Sequence, residues 1–315
     1  MARLDWLRYF PFARDRGDAP KATEVRGPYF AKPRSNQWRF GDCVLHFKAP
    51  WANPILGFDG NGRTVAGTSA GRGDILTANL KPIYGSSDAP THEWSRRLFY
   101  DNTWYFVGPW FTGNEARLQA GGLLISADQQ SPFSQMNLFH PKVFESAIAS
   151  YLDNSFGYRR AGKRPHYRGP LNWRVHTVSN DIRAVACDIH YIANGGKDNP
   201  DLLRLVLIPI SPQHFIRFDF DFGGASIHDE MRYKPMLALC NSIIDSMRLE
   251  VGPATQTEWN KVKATCPDMA ITDTFAELPW PLFKEKPNKK RKEVDITQST
   301  ETREIPDRSH YQKKK

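Results

Sequence analysis

Residues 215–222 read Phe-Ile-Arg-Phe-Asp-Phe-Asp-Phe. In an extended strand this puts Ile216, Phe218, Phe220 and Phe222 on one face and Arg217, Asp219 and Asp221 on the other, whereas a helix would scatter both sets around its surface. A strand so strictly divided must pair with neighbours and bury its aromatic face. The residues around it repeat the theme. Residues 171–178, 182–192, 203–210 and 214–222 are strand-like, with Ser179-Asn180-Asp181 joining the first two and Ser211-Pro212-Gln213 the last two. The expectation is an antiparallel meander.

The first half of the chain predicts a second one. Residues 38–47 read as a tight hairpin across Gly41-Asp42, with Cys43, Leu45 and Phe47 on one face. Residues 97–100 and 103–107 flank Asp101-Asn102, taken as a two-residue turn, and a strand follows over about 116–126. Gly121-Gly122 inside that strand predicts a bulge or a close backbone approach. Two helices complete the pattern. One begins at Pro141 and carries Val143, Phe144, Ala147, Ile148, Tyr151 and Leu152 at helical spacing. The other begins at Pro235 with Met236, Leu239, Cys240, Ile243, Ile244 and Met247 as its stripe. Residues 253–283 read as less regular, with Trp259, Phe275, Leu278, Trp280 and Phe283 packing down. The fold class expected is α+β: antiparallel sheet meanders covered by two main helices, with flexible basic termini.

The expected organisation is an N-terminal arm over 1–36, one α+β domain over 37–283 with a Gly/Ser-rich excursion at 52–90, and a disordered charged tail over 284–315. Charge supports this division. Residues 1–40 hold nine Lys and Arg against four acids, and residues 284–315 hold eleven against six, so the formal net charge of +9 resides in the ends. No run approaches the ~18 apolar residues of a membrane span. Arg3, Asp5, Arg8 and Arg14 interrupt the first apolar residues, so no signal peptide is expected. Cys43, Cys187, Cys240 and Cys266 are widely spaced, as free thiols of a reducing, cytoplasmic compartment would be.

The candidates for chemistry are few. Asp188 and His190 lie two apart on a predicted strand, where a carboxylate and an imidazole could share acid–base work or hold a metal. Asp219, Asp221, His228, Asp229 and Glu230 could add ligands, although the spacing shows only pairs. The competing account is a solvated sheet face whose charges fix register. Gly67-Thr-Ser-Ala-Gly71 fits the G-x-S-x-G pattern, but it lacks the buried strand before and the helix after that a nucleophile elbow needs. Arg72-Gly73-Asp74 spells an adhesion tripeptide without use in a cytoplasmic chain. There is no phosphate loop, dinucleotide fingerprint or zinc spacing, so no metal or cofactor is expected. The most concentrated internal charge is Arg159, Arg160, Lys163, Arg164 and Arg168, a stretch suited to an acidic partner or to phosphate. Trp110 and Phe111, with Trp104, Tyr105 and Phe106, form an aromatic cluster that would either face a partner or join the core. Lys289-Lys-Arg-Lys292 is a basic run of low specificity.

The meander ending in FIRFDFDF, followed by MLALCNSIIDSMRLE, resembles the end of the PsbP/Mog1/DcrB-like α+β fold, and WRFGDCVLHFKAPW is similar to that family's start. The resemblance spans residues 38–250. Members include periplasmic, photosystem-associated and nuclear-transport accessory proteins, and related folds occur among bacterial toxin-immunity proteins, so it implies binding rather than catalysis. This chain departs in lacking a signal sequence or lipoprotein cysteine and in its 52–90 excursion, and no functional residue carries over. The reading is a non-enzymatic protein-interaction module, an immunity or accessory/assembly protein among the options, whose partner is another protein with an acidic surface as one form. The alternatives are an enzyme with a site near Asp188 and His190, and a nucleic-acid binder using residues 158–174 and the tail. Nucleic acid is the less favoured partner.

Overall fold

The computed structural model describes residues 24–27, 32–51, 74–77, 79–83, 93–108, 114–156, 167–191, 201–223 and 229–278. Mixed α+β architecture with antiparallel pairing is what forms, and sheet dominates it. The strands are β1 (Arg34–Phe40), β2 (Cys43–Ala49), β3 (Lys81–Pro82), β4 (Trp94–Val107), β5 (Asn114–Ala127), β6 (Tyr167–Thr177), β7 (Arg183–Tyr191), β8 (Asp201–Ser211), β9 (His214–Gly223) and β10 (Arg248–Glu250). The helices are α1 (Pro141–Phe156), α2 (Glu230–Asp245) and α3 (Pro253–Thr265). Seven strands form one sheet in the order β3-β4-β5-β9-β8-β7-β6, and three form a second in the order β1-β2-β10.

The aromatic strand lies near the middle of the large sheet, between β5 and β8. Its Phe218, Phe220 and Phe222 face a core that the small sheet and α2 close from above, with Phe47 stacked edge-on to both Phe218 and Tyr100 at 5.0 Å. Phe215 points to the opposite face, where Trp94, Phe144, Ile148 and Tyr151 bury it beneath α1. The large sheet is therefore buried on both faces. The expected two-helix cover is only part of the enclosure, because the small sheet and α3, through Trp259 and Val262, share one of its sides.

Three boundaries differ from the expectation. Asp101-Asn102 is no turn, since β4 runs unbroken through it. The Asn102 amide donates to the Pro50 carbonyl at 3.3 Å and to the Tyr100 hydroxyl at 3.1 Å, and Asp101 accepts from Gln119 at 3.1 Å. A register shift between Leu98 and Tyr100 breaks the alternation and disguises one long strand as two. Gly122 lies opposite that shift, and a Cβ there would stand 2.6 Å from the Phe99 ring, so the glycine pair does mark a close approach. The second helix starts at Glu230 rather than Pro235, because Asp229 caps it by accepting from the Arg232 N–H, and Pro235 is carried inside. Finally, α3 occupies the stretch expected to be irregular. Only Thr255, Trp259 and Val262 of it are buried, a stripe too thin to show helical periodicity.

Gly41, at φ +62°, takes the first position of the β1–β2 turn, where an L side chain would be strained. The next residue ties this hairpin to α3. Asp42 accepts from the Ala254 N–H at 2.7 Å, the Thr255 N–H at 3.1 Å and the Thr255 hydroxyl at 2.6 Å, satisfying the helix's first donors. Partial burial acts to raise the Asp42 pKa, but these hydrogen bonds outweigh it and hold the carboxyl below its ordinary value. A carboxyl depressed in the folded state stabilises above its unfolded pKa, ~3.9, and loses that contribution as pH falls through the lower folded value. Asp42→Ala is expected to lower stability by about 1 kcal/mol at pH 7, as loss of a helix cap does. The gap from wild type should close below about pH 4, which urea titrations across that range would measure.

After α3 the chain passes to the other face of the large sheet. Cys266 and Met269 pack with the small-sheet core, while Ile271, Phe275 and Leu278 pack beneath α1. On the way Leu278 donates its N–H to Gly169, Trp173 donates its indole N–H to the Thr272 carbonyl at 2.7 Å, and Phe275 stacks on Trp173. This strap covers the β6 edge of the sheet.

Candidate functional site

Asp188 and His190 share the β7 face that looks toward α2, as alternation predicts, but at Asp188 that face is not solvated. Asp188 is 1% exposed and its carboxylate is fully engaged. Arg204, directly opposite on β8, donates Nε to Oδ1 at 2.6 Å and Nη2 to Oδ2 at 2.8 Å, and the Asn172 amide donates to Oδ2 at 2.8 Å. Arg204 also donates Nη1 to Asn241 of α2 at 2.9 Å. Burial works against the guanidinium charge, but the Asp188 carboxylate holds it protonated. This group links β6, β7, β8 and α2.

The further ligands suggested by sequence do not converge on Asp188. Asp188 stands in one row with Arg204 and Phe220, whereas Asp219 and Asp221 face the α1 side. Asp219 is bound at 3.0 Å by Arg217, whose other arm donates to the Tyr151 hydroxyl at 2.8 Å. Desolvation raises the Asp101 and Asp221 carboxyls, and Asp219 adds to both. Asp229 caps α2, and Glu230 pairs with Lys234. His228 lies outside the described residues. Among the described residues, no three His, Cys, Asp or Glu side chains gather as a metal site would require. Burial pushes the Cys187 and Cys240 thiols well up, away from nucleophilic thiolate.

Of the proposed partner-binding residues, Arg159, Arg160, Lys163, Arg164, Trp110 and Phe111 lie outside the described residues, as do Gly67–Gly71 and the 289–292 run. Arg168 stands on β6, half exposed, paired with Glu277 of the strap at 2.7 Å. Trp104 and Phe106, from the same aromatic cluster, are fully buried. A cavity of about 180 Å³ opens between β6, the end of α2 and β10, lined by His176, Thr177, Asp245 and Arg248 among others. Burial lowers the His176 pKa, with Arg174 contributing and Asp245 opposing.

The outer face of the small sheet is a polar surface built on regular structure. The inner residues Phe40, Cys43, Leu45, Phe47 and Leu249 are buried, so alternation turns Ser35, Gln37 and Arg39 of β1, His46 and Lys48 of β2, and Arg248 and Glu250 of β10 outward. The register places Ser35 beside Lys48, and Gln37, His46 and Arg248 in one row. His46 and Glu250 meet at 3.2 Å, leaving Arg39, Lys48 and Arg248 as the face's excess charge. Arg248 also donates to the carbonyls of Asp245 and Met247 at the α2 end. The hairpin is legible in the sequence through its buried face, Cys43, Leu45 and Phe47. His46 and Lys48, alternating with Leu45 and Phe47, were the available signal, whereas β10 is three residues long and has none.

No protein-family model matches the sequence, and no curated protein matches it. Among solved structures, the chain is similar to the apo structure of immunity protein TplEi of the T6SS from Pseudomonas aeruginosa, at 14% identity and a TM-score of 0.22, over 80% of this chain and 83% of that one. A TM-score of that size carries no argument about fold or function.

Proposed function

We propose that this chain is a non-enzymatic protein-interaction module of the cytoplasm whose partner presents an acidic surface. The outer face of the small sheet carries the reading: a rigid platform, anchored by five buried apolar side chains, that displays Arg39, Lys48 and Arg248 with only Glu250 opposing them. Such a platform steers an acidic surface by long-range attraction and fixes its orientation on docking. The engagement of Asp188 by three donors supports the same reading, since the carboxylate best placed for catalysis is spent on structure. The resemblance of residues 38–250 to PsbP/Mog1/DcrB-like proteins points the same way.

The test captures protein from the native host's lysate on the full chain, then titrates the purified captured protein. Replacing Arg39, Lys48 and Arg248 together by Gln should slow association by about tenfold and flatten its salt dependence, with the far-UV circular dichroism of the folded chain retained. Duplex DNA and RNA should show no measurable binding at ~0.15 M salt, where the Debye length is ~8 Å. Binding of nucleic acid that the triple variant abolishes would replace this reading, and recovery of no protein would refute it. The finer form, an immunity or accessory/assembly protein, is tested by co-expression. An immunity protein abolishes the captured partner's toxicity, and an assembly protein changes the partner's assembly state.

A further inference from the structure

Among the described residues, the outer edges of the two sheets are met to different extents. The strap covers β6; β10 donates the Leu249 N–H to the Val178 carbonyl; and β4 is met at one end by β3 and at the other by a two-bond bridge between Arg26 and Val107. The outer edge of β1 borders the cationic outer face of the small sheet. Ile75 donates its N–H to the Arg39 carbonyl at 3.0 Å, which shows that the odd-numbered residues of β1 turn their main chain away from β2. Ser35 and Gln37 belong to that set, are exposed, and have no main-chain partner among the described residues. The contact with Ile75 is pinned in place, because Asp74 accepts from the N–H groups of Gly41 and Leu76 at 2.7 and 2.9 Å. Among the described residues, pairing on this edge is confined to Arg39, and the outward N–H and C=O groups of Ser35 and Gln37 have no main-chain partner.

We infer that the outer edge of β1 receives an extended segment of the partner as an added strand, with acidic residues alternating with apolar ones. This rests on the interaction-module reading. Main-chain groups supply affinity in such pairing and alternate side chains supply selectivity. On one side the new strand meets Trp38, half buried against Phe99 and Tyr100, which asks for an apolar neighbour. On the other it meets Ser35, Gln37 and Arg39 with Lys48 beyond, which asks for carboxylates. Lys32 and Arg34 flank the edge, with the Arg34 guanidinium 3.3 Å from the exposed Trp51 ring. The nearby acids Asp42, Asp74 and Glu250 are already bound to N–H groups or to His46, so they do not neutralise the edge. The same cations disfavour a second copy, which would oppose like charges strand to strand.

The probe is a labelled seven-residue peptide alternating Glu and Val, followed by fluorescence anisotropy on the full chain. Saturable binding is expected, with no binding of the Lys/Val counterpart. Gln37→Pro removes one outward donor at an edge position where proline leaves the β1–β2 ladder intact, and should weaken binding at least about tenfold. N-methylation of alternate peptide bonds in the probe should do the same, without altering the protein. Failure of the Glu/Val peptide to bind, or binding undiminished by both changes, overturns the inference. Concentration-dependent dimerisation abolished by Gln37→Pro overturns it too, by assigning the edge to a second copy. If the captured partner still binds Gln37→Pro, the edge assignment falls and the interaction module stands. If the peptide binds but the wild type captures no protein, the module reading falls instead.

Discussion

Arg204→Met is expected to cost about 3–5 kcal/mol of stability, because it strands the Asp188 carboxylate in a site that is 1% exposed. Domains of this kind are stable by only about 5–15 kcal/mol, so the variant should show a greatly lowered urea midpoint or no folded baseline. The double variant Asp188→Leu/Arg204→Met should regain most of that loss, since a buried ion pair can be exchanged for apolar side chains of similar volume at little net cost. Asn172, which is exposed, and Asn241, which is partly buried, then lose their partners and can turn to solvent. Urea titrations of the two variants separate the possibilities. A single variant as stable as wild type would show that the pair contributes nothing, and a double variant no better than the single would show that the loss comes from packing.

The same pair shows where sequence reading stops. Asp188 was legible as a polar residue on an apolar strand, and Arg204 stands out likewise in the apolar run from Leu202 to Ile210. Their meeting depends on the β7–β8 register, which sets Asp188 opposite Arg204 and Leu203 opposite Ile189, and no pattern within either strand fixes it. The meander over β6 to β9 was readable because each strand keeps its period and short polar turns join the outer pairs. The bulge in β4 cancelled that signal and produced a false turn at Asp101-Asn102. The second sheet was half legible: the β1–β2 hairpin has its glycine turn, but β10 acquires its place only through pairing with β2. A candidate interface assembled from strands some 200 residues apart therefore left only His46 and Lys48 as its trace in the sequence.

The largest effects should come from the two helices, because each seals a different face of the large sheet. Ile148 of α1 is completely buried with Phe144, Tyr151 and Phe215, and Ile244 of α2 is 4% exposed in the core that holds Met236, Cys240 and Phe218. Ile148→Asp and Ile244→Asp would each replace an apolar side chain by a carboxylate that must either ionise without a partner or take up a proton. Desolvation alone costs several kcal/mol per ion, and the lost apolar burial adds about 2 kcal/mol more. Each variant is expected to unfold at pH 7 and to regain stability as the pH falls through the raised pKa of the new carboxyl. The comparison with valine makes the test specific: Ile148→Val and Ile244→Val should each cost only about 0.5–1.5 kcal/mol. Far-UV circular dichroism and thermal melts distinguish the outcomes for each face separately. An aspartate variant that melts like wild type would mean that its helix does not lie on the sheet. One face tolerating the change while the other does not would show that α1 or α2 is dispensable to the core it covers.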